Sequence, residues 1–292
     1  MKKPKLLVIG NCQARPVTAL LGATEHFECL SPIILQLAKT AESEAHLAHI
    51  SEADIVLAQK TNDNFPVRHL RSSVLRQSHS NVVVWPNMFF SGQQPFIRYM
   101  THTTTNSRMV GPIEALHDVR IFARWLYSQG LTEQLWQPDE NEFSRTIAAR
   151  SIADLIERED DCDIRISDFI AEHVRTERLF FTFNHPTRRV LDELCNRFMA
   201  HQSLAKLPDG TEEFLDRYLV PSHWGNNGGL ATYKGNDYML GDEGTVSPLA
   251  TVRHFSPDEL QAAYFEVYDH NPLYRDTDSI RFTPNFSYDL SI

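Results

Sequence analysis

Short apolar runs alternate with helical periodicity over the first hundred residues. Leu6-Leu7-Val8-Ile9 is a continuous apolar run closed by Gly10, the pattern of a strand buried on both faces of a parallel sheet. After Asn-Cys-Gln-Ala-Arg-Pro come Val17, Leu20 and Leu21 at helical spacing. Pro16 suits the first turn of that helix, where its missing N–H leaves no bond unmade. Residues 5–22 therefore predict strand, tight turn and helix. The alternation recurs, with strands over Phe27–Leu30, Asp54–Ala58 and Val82–Trp85 and helices over 36–50 and Val67–Gln77. Strands alternating with helices imply an α/β fold, a mostly parallel sheet flanked by helices.

The middle of the chain predicts helices. Ile113, Leu116, Val119, Phe122 and Leu126 form one apolar stripe that Gly130 ends. Phe143–Glu157 is a second amphipathic stretch, and the charged run Glu157 to Asp163 reads as a solvated loop rather than a metal site. A helix over 167–176 follows, then a fifth strand, Leu179–Phe183, stopping at Asn184-His185-Pro186, and a helix carrying Val190, Leu194 and Phe198 on one face. Beyond about residue 205 the pattern weakens to Pro221, the glycine cluster Gly225 to Gly229 and turn signals. The expected organisation is a catalytic core over 1–205, with a helical insertion at about 110–176. An irregular extension over 206–292 packs on that core; a softer division near 110 separates sheet from helices.

Charge narrows the partners. With 28 Lys+Arg against 38 Asp+Glu the net charge is −10, which does not attract nucleic acid or anionic lipid over the whole surface. No apolar stretch reaches the roughly 18 residues of a membrane span. The opening Met1-Lys2-Lys3-Pro4-Lys5 precedes an apolar run too short for a signal peptide and reads as the solvated start of the first strand. The four cysteines, Cys12, Cys29, Cys162 and Cys195, include no CxxC pair and form no disulfide framework, so a reducing, cytoplasmic setting and no metal are expected.

Two strand ends carry the chemistry. In open α/β sheets ligands bind beyond the carboxyl ends of the strands, where Gly10-Asn11-Cys12-Gln13 would sit at a helix N-terminus. Free N–H groups and the helix dipole there favour a thiolate and could hold an oxyanion. The plainer alternative is a small buried cysteine beside a turn glycine. His185 falls at the end of the fifth strand, on the same rim, held from helical geometry by Pro186. An imidazole near a thiol is the pairing nucleophilic catalysis needs; otherwise His185 is a helix-entry residue in water. Asn87 could donate its amide to an oxyanion or merely make a turn. Met88-Phe89-Phe90, Phe96-Ile97 and Tyr99 could line an apolar pocket or belong to the core. His117 or Asp118, on the predicted helix near 112, could orient His185. Arg15, Arg98, Arg188 and Arg189 flank the loops and match phosphate geometry.

Taken together, Gly10-Asn11-Cys12-Gln13, Trp85-Pro86-Asn87-Met88-Phe89-Phe90 with Gly92 and Pro95, and Phe183-Asn184-His185-Pro186-Thr187 resemble the WcbI-type polysaccharide biosynthesis proteins over roughly residues 5–200. That resemblance implies a coenzyme A-binding acetyltransferase of capsule assembly, with acetyl-CoA as cosubstrate and a saccharide as acceptor. The layout is also similar, more distantly, to the SGNH hydrolases, which share a flavodoxin-like core. In that comparison Cys12 stands for the nucleophilic serine, Asn87 for the oxyanion asparagine and His185 for the base. Position 182 is Thr where that pattern has Asp, so a Cys–His dyad is expected. Asn11, Gln13 and Asn184 would position the site, and Gly10 with the four arginines would meet the cofactor. An esterase or thioesterase on the same residues is the alternative, as is a non-catalytic nucleotide- or glycan-binding protein. The sequence leaves the acceptor, the acyl group and the oligomeric state open.

Overall fold

The computed structural model describes residues 2–112, 115–207, 237–240, 246–249 and 256–285; Ile113, Pro221 and the Gly225 to Gly229 cluster lie outside them. The chain divides into two compact units. Residues 2–90, 151–180 and 184–207 belong to the first, and residues 91–112, 115–150, 181–183, 237–240, 246–249 and 256–285 to the second.

The first unit is built on a five-stranded parallel sheet. β1 (Lys5–Gly10) lies at its centre, flanked on one edge by β2 (Glu28–Cys29) and β3 (Ile33–Ile34) and on the other by β4 (Ile55–Gln59), with β5 (Val82–Trp85) beyond. Alternation along each strand explains why the runs are apolar throughout. Leu6, Val8, Ile55 and Leu57 face one side, where they bury against α1 (Ala14–Gly22) and the helices Ser167–His173 and Arg188–His201. Leu7, Ile9, Val56 and Ala58 face the other, against Ile50 of α2 (Ser43–Glu52) and Leu75 of α3 (Ser72–Ser78). Each buried Leu or Ile contributes about 1.5–3 kcal/mol, so both faces stabilise the sheet and a one-residue slip would exchange them.

The second unit is antiparallel, which the sequence pattern did not suggest. Strand Ile97–His102 pairs with Ser107–Arg108, Leu116–Asp118 and Ile280–Thr283. The helix expected from about 112 begins only at Val119, capped by Asp118 Oδ1, which accepts from the Arg120 N–H at 2.9 Å. Leu116 fits the stripe because its spacing to Val119 is three, yet it lies in a strand. His117 beside it is satisfied by one partner far along the chain and one nearby. Its Nδ1 is 3.1 Å from the Tyr268 hydroxyl and its Nε2 is 3.0 Å from the Met109 carbonyl. Phe180–Thr182 is a strand, as expected, but not one of the parallel five. No helix among the described residues is long and apolar enough to cross a membrane.

Candidate functional site

The chain leaves β1 toward β2 on one edge and later crosses to β4 on the other. That reversal opens a crevice beyond the carboxyl ends of β1 and β4, where doubly wound sheets take ligands. Gly10 ends β1 under a tight constraint. A Cβ there would lie 3.0 Å from Trp85 Cζ2 and 3.3 Å from both Gln59 Cβ and Ala14 Cβ, so glycine is what lets the strand, its neighbour and the next helix close up.

Four side-chain amides then form one network, and main-chain donors fix which way each points. The Asn11 N–H donates to Gln59 Oε1 at 3.0 Å, so the Gln59 NH2 is the end that reaches Gln13 Oε1, at 3.2 Å. The Gln13 NH2 is thereby directed at two carbonyls, Met88 O at 2.8 Å and Asn184 O at 2.9 Å. On the other branch the Gln13 N–H donates to Asn11 Oδ1 at 2.9 Å, an Asx turn that starts α1. Asn11 Nδ2 accordingly donates to Asn87 Oδ1 at 3.0 Å, leaving the Asn87 NH2 as the donor end. Gln13 and Gln59 are each only 3% exposed, so the network sits where unmade bonds are expensive.

Beside it lies a cleft of about 840 Å³. Asn11, Gln59 and Asn87 line it, with the polar run Lys60 to Asn62, Asn64 and Phe65 that follows β4. Asp154, Glu157 and Arg158 come from the carboxyl end of the helix Glu140–Arg158.

Of the residues singled out in the sequence, Asn11, Gln13, Asn87 and Asn184 are joined by these bonds. Cys12 and His185, both half-buried, are chain neighbours of Gln13 and Asn184. The loop amides differ from expectation. Those of Asn11, Gln13 and Ala14 are already engaged, by Gln59 Oε1, Asn11 Oδ1 and Asn11 O. Arg98 cannot meet a phosphate from solvent. It is 1% exposed and donates through Nη1 to the Pro95 and Ile97 carbonyls at 2.8 Å, and burial, opposed by Asp118, lowers its pKa to about 10. Arg188 Nε lies 3.1 Å from Asp192 Oδ2, and Arg189 pairs with Glu177 at 3.2 Å with its guanidinium over Phe169. Arg15 is exposed on α1. None of the four arginines lines the cleft.

His117 and Asp118 each have partners of their own. Both His117 nitrogens are used within the second unit, and Asp118 holds Arg120 at 2.6 Å. Met88, Phe90, Phe96 and Ile97 are fully buried core and Tyr99 nearly so, rather than pocket lining. The acidic run is also structured. Glu159 Oε1 accepts from the Ile166 and Ser167 N–H groups at 2.5 and 2.8 Å, and Asp163 Oδ2 accepts from Val84 N–H at 2.7 Å. No cluster of metal ligands occurs among the described residues. Gln59 and the run to Phe65 are not flagged by the apolar pattern, which ends at Ala58; the strand-end rule, applied to the loop that follows the strand, points to them.

None of the four cysteines forms a disulfide. Burial pushes Cys29 up to about 11 and Cys162 up to about 12, and holds Cys195 well above the ordinary thiol range.

Comparison with known proteins gives three findings. The model of a family described as polysaccharide biosynthesis enzyme WcbI matches residues 5–207. No curated protein matches. A solved structure of WcbI, described as a novel polysaccharide biosynthesis enzyme and as native protein without a disulfide bond between coenzyme A and a cysteine, is similar with a TM-score of 0.59 and 19% identity, over 94% of this chain and 98% of that one. At that identity the likeness is one of fold.

Proposed function

The chain belongs to the polysaccharide biosynthesis enzyme WcbI family, and from that premise we propose that it transfers an acyl group, acetyl first among them, from coenzyme A to a saccharide hydroxyl. The observation that carries this reading is the Gln13 side chain, which holds the carbonyls of Met88 and Asn184 together. It gathers the loops bearing Cys12, Asn87 and His185 at one end of the sheet.

In this reading the Cys12 thiolate, at the amino end of α1, attacks the thioester carbonyl. The carbon–sulfur bond to coenzyme A breaks, and the leaving thiolate takes a proton from the His185 imidazolium. The saccharide hydroxyl then attacks the acyl-Cys12 carbonyl, His185 takes its proton, and the Cys12 thiolate departs. With the amides of Asn11, Gln13 and Ala14 engaged, the oxyanion donor is the Asn87 NH2, aimed by its partner Asn11. Asn11 and Gln13 are positioning residues. The phosphates of coenzyme A fall to Arg15, exposed on α1 and outside the cleft. The chain works as a cytoplasmic enzyme of capsule assembly.

The test is single-turnover incubation with acetyl-CoA followed by peptide mass analysis. One acetyl group on the Cys12 peptide is expected, absent in Cys12→Ala and in protein without acetyl-CoA. Asn87→Ala should lower turnover by about 10²–10³-fold, the usual effect of losing one oxyanion donor. Unchanged turnover in Cys12→Ala would remove the nucleophile role.

A further inference from the structure

The cleft beyond β4 has a chemistry that the acyl donor does not use. Its wall presents the side-chain amides of Gln36, Asn62 and Asn64 beyond those of the network. Each primary amide offers two donors and an acceptor on one plane, which suits a pair of neighbouring hydroxyls, themselves donors and acceptors. The ionised groups lining it cancel: Lys60 and Arg158 stand against Asp154 and Glu157. Both cations are further committed. Lys60 Nζ donates to the Asp160 carbonyl, and Arg158 donates through Nη2 to Phe89 O at 2.6 Å and through Nε to Asp154 O at 3.1 Å. A polyanionic ligand draws on unopposed cations and the bidentate face of arginine, and this wall offers neither.

Phe65 supplies the apolar part. It packs on the core cluster under β1 and β4 and also lines the cleft, a platform for the C–H face of a pyranose. At about 840 Å³ the cleft falls within the usual range for small-ligand sites, about 300–1,000 Å³. Asn11 and Asn87, the chain and hydrogen-bond neighbours of the loop carrying Cys12, line the same cleft.

We propose that this cleft, walled by Gln36, Asn62, Asn64, Phe65, Asp154 and Glu157, is the subsite for an uncharged hexose unit of the acceptor, and not for the phosphates of coenzyme A. The proposal rests on the transfer reading and names where its acceptor sits.

The test uses the full chain and two probes. Methyl α-mannopyranoside, α-glucopyranoside and β-galactopyranoside are titrated by saturation-transfer NMR, and coenzyme A by calorimetry, into wild type, Asn62→Ala, Asn64→Ala and Phe65→Ala. Asn62 and Asn64 are exposed, so their truncation leaves the core intact even where Phe65→Ala lowers stability. At least one hexoside should bind wild type. Each variant should weaken it about fivefold or more, the loss of one hydrogen bond or stacking contact, with coenzyme A affinity changed less than about twofold. The proposal is overturned by a cleft that binds none of the three hexosides, by hexoside binding indifferent to all three variants, or by variants that weaken coenzyme A instead. A wild type that fails to bind coenzyme A refutes the donor assignment alone, because the hexoside titrations decide the cleft separately.

Discussion

Replacing Gln13 with alanine removes three hydrogen bonds in one step: to Met88 O at 2.8 Å, to Asn184 O at 2.9 Å and from Gln59 Nε2 at 3.2 Å. Each bond is worth about 0.5–1.5 kcal/mol net, and a stranded buried partner costs about 1–3 kcal/mol. The Met88 carbonyl bond is buried and the Asn184 bond only partly so, so water can replace the second better than the first. We expect a loss of about 3 kcal/mol in urea unfolding followed by tryptophan fluorescence. Gln13→Glu separates geometry from chemistry. An ionised carboxylate offers no donor to two carbonyls, whereas the protonated acid restores one bond. The folded state therefore favours the protonated form, raising that carboxyl's pKa. The variant's stability should be greatest in acid and fall as pH rises through that pKa. A Gln13→Ala loss below about 1 kcal/mol, with turnover intact, would refute the role of Gln13 as the tie between the loops.

Three further outcomes follow from the same geometry. Burial lowers the His117 pKa from 6.5 to about 4, against a raising backbone bond to Met109. The unfolded chain therefore takes up the proton first, and stability should fall by up to about 3 kcal/mol as pH drops from about 6.5 toward 4; a thermal midpoint series should show that slope flattened in His117→Gln. Gly10→Ala forces a methyl to 3.0 Å from Trp85 Cζ2 and should destabilise by about 1–3 kcal/mol, read as a lower urea midpoint; no change would mean that the indole moves freely. Because Cys29, Cys162 and Cys195 are held protonated by burial, brief iodoacetamide treatment at pH 7.5 should alkylate Cys12 first; equal labelling of Cys29 would contradict that ordering.

Particular residues show how far the pattern could be read. Leu6 to Ile9 is apolar on both parities because both faces of β1 are covered, and a run of that kind has one sensible place in an α/β fold. The apolar run Val82–Trp85 coincides with β5 end to end. Gly10, Asn11 and Gln13 were legible as a strand-end turn because the glycine and the Asx turn act within three residues. Leu116 was not legible as a strand. Its partner Tyr99 and the tyrosines around His117 lie at separations no local window contains. The burial of Glu159 is not legible for a related reason. Its acidity suggests solvent, but the N–H groups of Ile166 and Ser167, seven and eight residues on, satisfy it inside the fold.

The sequence by itself determined the alternation of strands and helices, the parallel sheet, and the motif residues that follow β1 and β5 at its carboxyl ends. Those depend on period, turn chemistry and residue type, which act over a few neighbours. Tertiary structure alone decided which donors remain to meet a ligand. Gln13 closes on Met88 and Asn184 across 75 and 171 residues, Gln59 takes the Asn11 N–H, and Arg98 turns inward to main-chain carbonyls. A hydrogen-bond partner is set by where chains meet in space, and a group's availability is whatever that meeting leaves unspent.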